Sequence, residues 1–98
     1  MVNHQLKIKS EHLEAIISGV KTFEIRKNDR DFKVGDRVTL IEEEGNRYLT
    51  IQINYITSYA QQDGYIVFSF GWISGGKLLG EEKNGVLPMS FAELRDFN

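Results

Sequence analysis

Residues 21–36 read KTFEIRKNDRDFKVGD. Thr22, Glu24 and Arg26 alternate with Phe23 and Ile25, so an extended chain carries the polar three on one side and the apolar two on the other. This spacing predicts a strand over residues 22–26, with Phe23 and Ile25 in the core and Thr22, Glu24 and Arg26 on the outside. NDRDF holds the turn-formers of a loop, and VGD punctuates again before RVTLI resumes a strand. Ten of the seventeen residues from Lys21 to Arg37 are charged. Six are cations (Lys21, Arg26, Lys27, Arg30, Lys33, Arg37) and four are carboxylates, and the acidic run Glu42–Glu44 follows. The pattern points to a small electropositive site on an acidic body; the alternative is a solvated face crossed by salt bridges.

The flanks extend the strand reading. QLKIK alternates as a short first strand with Leu6 and Ile8 inward. Ser10 stands where an N-cap belongs, Leu13, Ile16 and Ile17 form an apolar stripe, and Gly19 is placed to end a helix over residues 11–18. Further strands are predicted over 37–42, 48–58 and 65–70, with EEGNR as a hairpin turn. Leu49, Ile51, Ile53 and Tyr55 alternate along the second of these. Phe23, Ile25, Val38, Leu40, Ile51, Ile53, Ile66 and Phe68 are the candidate core. One short helix followed by closely spaced strands indicates a mainly β protein with short helices, a small barrel rather than a βαβ sheet. Five of the nine glycines fall between Gly71 and Gly85, which reads as a glycine-rich appendage or an irregular strand pair. Ser90 and Glu93 have the spacing of a capping box, predicting a terminal helix in SFAELRDF.

Composition sets the outer bounds. Ninety-eight residues with 41% hydrophobic and 27% charged side chains suit one globular domain, here taken as residues 1–98. The chain has no cysteine, which excludes disulfides, thiolate metal sites and a catalytic thiol, and suits a reducing cytoplasm. The N-terminal stretch lacks the apolar run of a signal peptide and no segment approaches a membrane span, so neither export nor a membrane partner is expected. There is no P-loop, GxGxxG, HExxH or GxSxG motif. His4 and His12 form no recognisable metal pair and read as structural or surface residues. No metal and no cofactor are expected. Acid–base chemistry would fall to Lys, Glu, Asp, Tyr or Arg, and a lysine serves as a base only where burial or a neighbouring cation depresses its pKa.

The order of short strand, capped helix ending SGVKTFEIR, charged loop and FKVGDRVTL resembles an ASCH domain of the PUA-like superfamily. The likeness is to a bacterial and phage branch of uncharacterised function in which KTFEIRKNDRDF.VGD is nearly a signature; HQLKI and DGYIVFSF fit the same branch. It covers about residues 4–70. The resemblance implies a small, largely closed β-barrel with one or two helices against it, and a cleft beside the helix-to-strand turn that binds RNA or modified nucleosides. A related branch hydrolyses N4-acetylcytidine with a Lys, a Thr and a Glu. Lys21 falls on that lysine, whereas the threonine position is Glu24 here.

The candidate ligand residues are therefore Lys21, Thr22, Glu24, Arg26, Asp29, Arg30 and Tyr65. Lys21 follows the helix end and aims at the cleft. Glu24 and Arg26 suit a base's amino edge and a phosphate or carbonyl. Asp29 and Arg30 lie on a loop, where binding residues concentrate, and Tyr65 offers a stacking ring or half-buried packing. Trp72 is assigned to packing. The function expected is binding of RNA or a nucleoside-like small molecule. The alternatives are an amidohydrolase acting on a modified nucleoside, with Lys21 and Glu24 as its acid–base pair, and a protein-interaction module. No signal bears on oligomeric state.

Overall fold

The computed structural model describes residues 1–96. Six strands and two helices follow in the order β1 (Asn3–Ile8), α1 (Ser10–Ile17), β2 (Phe23–Lys27), β3 (Arg37–Glu42), β4 (Arg47–Thr57), β5 (Tyr65–Leu79), β6 (Gly85–Met89) and α2 (Phe91–Asp96). The fold is mainly β, as the spacing of the apolar residues requires. Phe97, the last residue of the predicted terminal helix, lies outside the described residues.

The strands form one sheet in the order β1-β3-β4-β5-β2, with β6 added to β5. β1 runs parallel to β3, and the other pairs are antiparallel. β1 and β2 are the two ends of this path, and no backbone ladder joins them. What crosses the interval is a side chain: Arg26 Nη2 donates to the Lys7 carbonyl at 3.1 Å. The edges face each other across a gap, so the expected barrel is not closed by hydrogen bonds.

The core gathers the inward residues of the sheet beneath α1 and α2. Leu13, Ile16 and Ile17 are completely buried, as are Val38, Leu40, Leu49, Ile51, Ile53, Phe68 and Leu94. Each such side chain contributes about 1.5–3 kcal/mol relative to exposure. Gly19, at φ +84°, ends α1 in the left-handed region. Ser10 is not the N-cap expected of it: Lys9 holds that position without a side-chain cap bond, and the Ser10 hydroxyl bonds Glu42 instead. The capping box at α2 is present. Glu93 N donates to Ser90 Oγ and Ser90 N to Glu93 Oε1, each at 3.1 Å; the Ser90 backbone and hydroxyl bonds hold the Glu93 carboxyl below its ordinary range.

Two expectations about the strands are corrected. Phe23 and Ile25 are not core: they are 43% and 52% exposed, while Glu24 is 3% exposed. Register explains the inversion. Glu24 lies opposite Phe68 and Arg26 opposite Ile66, both of which point inward, and directly opposed residues of an antiparallel pair share a face. Tyr55 is exposed although it continues the Leu49–Ile51–Ile53 alternation, because an irregularity between Ile53 and Tyr55 shifts the register and reverses the faces beyond it. β5 does not stop at Phe70 but continues to Leu79. Of the two readings of this stretch the strand pair holds and the appendage does not: β5 pairs with β6 from Gly75 to Leu79, and its glycines mark close approaches, since a Cβ on Gly75 would meet Leu94 of α2 and one on Gly76 would run into the Leu87 backbone of β6. Trp72 packs edge-on against Phe91 with Arg95 over its ring, 5.1 Å from the centroid.

Candidate functional site

Lys21, Glu24 and Arg26 come together at the gap. After Gly19 the Val20 and Lys21 amides both donate to the Ala15 carbonyl, a tight hook that brings Lys21 within three residues of the strand face carrying Glu24. Lys21 Nζ donates to Glu24 Oε1 at 2.7 Å, and Arg26 Nε donates to Glu24 Oε2 at 2.8 Å. The carboxylate side chain is 4% exposed, the two cations 20% and 24%. A carboxylate facing a core is costly unless both oxygens are satisfied, and these two bonds satisfy them. Among the described residues, Lys21 has no acceptor for its other two ammonium protons, and Arg26 uses only Nε and one Nη2 proton of its five donors. The triad is internally paired yet keeps spare donors.

Two hollows flank it. One, about 520 Å³, is lined by Gln5, Lys7, Arg26, Lys27, Asp29, Arg30 and their neighbours. The other, about 420 Å³, is lined by Lys9, His12, Lys21, Phe23, Glu24 and Arg26 among others. Their combined walls carry six cations (Lys7, Lys9, Lys21, Arg26, Lys27, Arg30) against three carboxylates (Glu24, Asp29, Glu43). The walls are thus +3 on a chain whose formal charge is −2, leaving −5 elsewhere. Such an asymmetry concentrates anions at the gap.

The loop carrying Asp29 and Arg30 is held from below. Phe32 is 5% exposed and packs between His4 and Phe68 at ring distances of 4.7 and 5.6 Å. Its amide donates to Asn28 Oδ1. Asp36, itself buried, accepts from His4 Nε2 at 2.8 Å and from the Val2 and Lys33 amides at 3.1 Å. The His4 hydrogen bond, opposed by burial and aided by those two amides, holds its carboxyl below the usual range. His4 is therefore a structural residue. α1 is fixed in turn by Arg47, which donates to Glu42 through Nη2 at 2.9 Å and to Glu14 through Nη1 at 2.7 Å. Burial pushes the Glu42 carboxyl up, and the bonds from Arg47 and Ser10 more than reverse this, to about 2.

Of the residues singled out in the sequence, Lys21, Glu24, Arg26, Asp29 and Arg30 line the hollows and Thr22 and Tyr65 do not. Thr22 is exposed. Tyr65 pairs with Lys27 on the outer face, with Phe23 and Ile25. Sequence reasoning missed the opposite wall: Gln5, Lys7, Lys9, His12 and Glu43. The available signal was Lys7 and Lys9 alternating with the inward Leu6 and Ile8.

The sequence model of a domain of unknown function, DUF3850, matches residues 3–70. The chain belongs to the DUF3850 family. The match contains every residue that lines the two hollows, all between Gln5 and Glu43, and stops within β5, so β6 and α2 lie beyond this DUF3850 span. No curated protein matches the chain. No helix among the described residues is long and apolar enough to cross a membrane.

Proposed function

We propose that this DUF3850 chain is an RNA- or nucleoside-binding module of the PUA-like, ASCH type, taking its ligand in the gap between β1 and β2. One observation carries the reading: a core-facing carboxylate is held between two cations that keep spare donors, on the wall of a net-positive hollow. The spare Lys21 and Arg26 protons suit phosphate or carbonyl oxygens, and the Asp29 carboxylate suits an amino edge. A rigidly seated loop lowers the ordering cost of binding. The approach of β1 and β2 across the Arg26–Lys7 bond supports a PUA-like barrel left open at its ligand cleft. The lack of cysteine suits action in the cytoplasm.

The test is affinity for short single-stranded RNA in charge-reversal variants. Arg30→Glu, at the hollow, should weaken binding strongly, while Arg37→Glu, an exposed cation outside both hollows, should leave it near wild type. Equal losses in both variants would show non-specific attraction, and no RNA binding at all would favour a protein-interaction module.

The Lys21–Glu24 contact favours a second reading, amide hydrolysis on a modified nucleoside such as N4-acetylcytidine, with these two as proton donor and acceptor. Turnover by wild type that disappears in Lys21→Ala would establish it in place of simple binding.

A further inference from the structure

The two hollows meet at three shared side chains, Lys7, Arg26 and Glu43. Each hollow falls within the range of about 300–1,000 Å³ typical of small-ligand sites, room enough for one nucleoside apiece. The partition is not passive. Arg26 is anchored at Nε by Glu24 and at Nη2 by the Lys7 carbonyl, which fixes the plane of its guanidinium and leaves Nη1 with no protein acceptor among the described residues. A guanidinium pre-set in this way presents its free Nη1 donors to a phosphate in a charge-assisted hydrogen bond. Lys7 adds a second positive charge to the partition and Glu43 removes one, so the partition stays net positive.

The compartments beyond the partition differ in kind. The larger offers the Gln5 amide and the Asp29 carboxylate, groups that read base edges, beside Lys27 and Arg30. The smaller offers the Phe23 ring, 43% exposed and with the Lys21 ammonium 5.9 Å from its centroid, and the His12 imidazole, flat groups on whose open faces a base stacks. The exposure of Phe23, unexplained by core packing, has a use there. Resting on the reading of the gap as an RNA or nucleoside site, we infer that it holds two consecutive nucleotides, one on each side of Arg26, with the joining phosphate on the Arg26 guanidinium. The unit recognised is then a dinucleotide step of single-stranded RNA.

The experiment is calorimetric titration of the wild-type chain with the four nucleoside 5′-monophosphates, the four homodinucleoside monophosphates, and the same dinucleotides with a neutral methylphosphonate linkage. A 5′-monophosphate carries more charge than a dinucleoside monophosphate, so charge alone favours the shorter ligand. At least one dinucleotide should nevertheless bind about ten-fold or more tightly than its mononucleotide, the size of one good charge-assisted contact. The margin should vanish with the neutral linkage and in Arg26→Gln, and return in part in Arg26→Lys. The methylphosphonate arm uses unaltered protein, so it decides the point even where a variant folds poorly. Equal binding of mono- and dinucleotides, or a margin that survives the neutral linkage, overturns the inference and leaves the proposed function standing. Failure of every nucleotide and of longer single-stranded RNA to bind overturns both.

Discussion

Replacing Glu24 by glutamine tests the arrangement on which the site depends. The carboxylate accepts from Lys21 at 2.7 Å and from Arg26 at 2.8 Å while 4% exposed. Glutamine keeps one carbonyl oxygen, so one cation retains its acceptor and the other meets an amide that is itself a donor. A hydrogen bond to a charged group contributes about 1.5–3 kcal/mol. The penalty of about 3–5 kcal/mol for orphaning a fully buried charge does not apply in full, because Lys21 and Arg26 are 20% and 24% exposed and their freed protons reach water. The loss should be about 2 kcal/mol, which for a domain of this size lowers Tm by about 8–16 °C. Urea unfolding should show a reduced midpoint with unchanged slope, since the area buried is the same. Thr22→Ala, an exposed neighbour, is the control and should stay within about 0.5 kcal/mol of wild type. If Glu24→Gln matched that control, Glu24 would not be clamped between two cations and the geometry of the site would fall.

Other outcomes follow from the same structure. Glu42 has a folded-state pKa of about 2 against an ordinary 4.5, so its ionised form favours the folded state above pH 4.5 and that contribution is lost as the pH falls from about 5 to 2. The difference is worth about 3 kcal/mol, and Glu42→Gln, measured by urea unfolding at several pH values, should be less stable at pH 7 and lose less on acidification. Gly75→Ala meets mainly the Leu94 side chain, whereas Gly76→Ala meets the Leu87 backbone. Gly76→Ala should therefore cost more than Gly75→Ala, whose overpacking falls within about 1–3 kcal/mol, and equal midpoints would contradict the packing described for β5. Lys21→Ala should weaken RNA affinity by about 1–3 kcal/mol, read by fluorescence anisotropy, and an unchanged Kd would remove Lys21 from the ligand.

What was legible in the sequence was local. The capping box at Ser90 and Glu93, the left-handed end of α1 at Gly19 and the apolar stripe of α1 depend on residues three or four apart, and each stands where its spacing put it. Strand β2 shows the limit of such reasoning. Alternation assigns Glu24 and Phe23 to opposite faces but does not say which face is inside; register against Phe68 and Ile66 decides that, and the apolar choice is the wrong one. The same cause hid the opposite wall of the gap. Lys7 and Lys9 join the site only because the curled sheet brings β1 to face β2, and no short-range pattern carries that information. The glycines of β5 were ambiguous for a related reason: Gly75 and Gly76 are narrow because α2 and β6 cross there, both contacts made by residues still to come in the chain. Ser10 falls one residue inside α1, with Lys9 at the cap position, and it helps to lower the Glu42 carboxyl, a partner distant in sequence.

The central claim, an electropositive gap that binds single-stranded RNA, is tested most directly by measuring affinity across salt concentration. Contacts to two to four phosphates predict that the logarithm of the association constant falls with the logarithm of salt at a slope of about −1.4 to −2.8. A fluorescently labelled single-stranded RNA titrated with the wild-type chain at increasing potassium chloride gives this slope from anisotropy. Binding at low salt with a slope in that range is the predicted result; no binding at the lowest salt, or an affinity indifferent to salt, would contradict it.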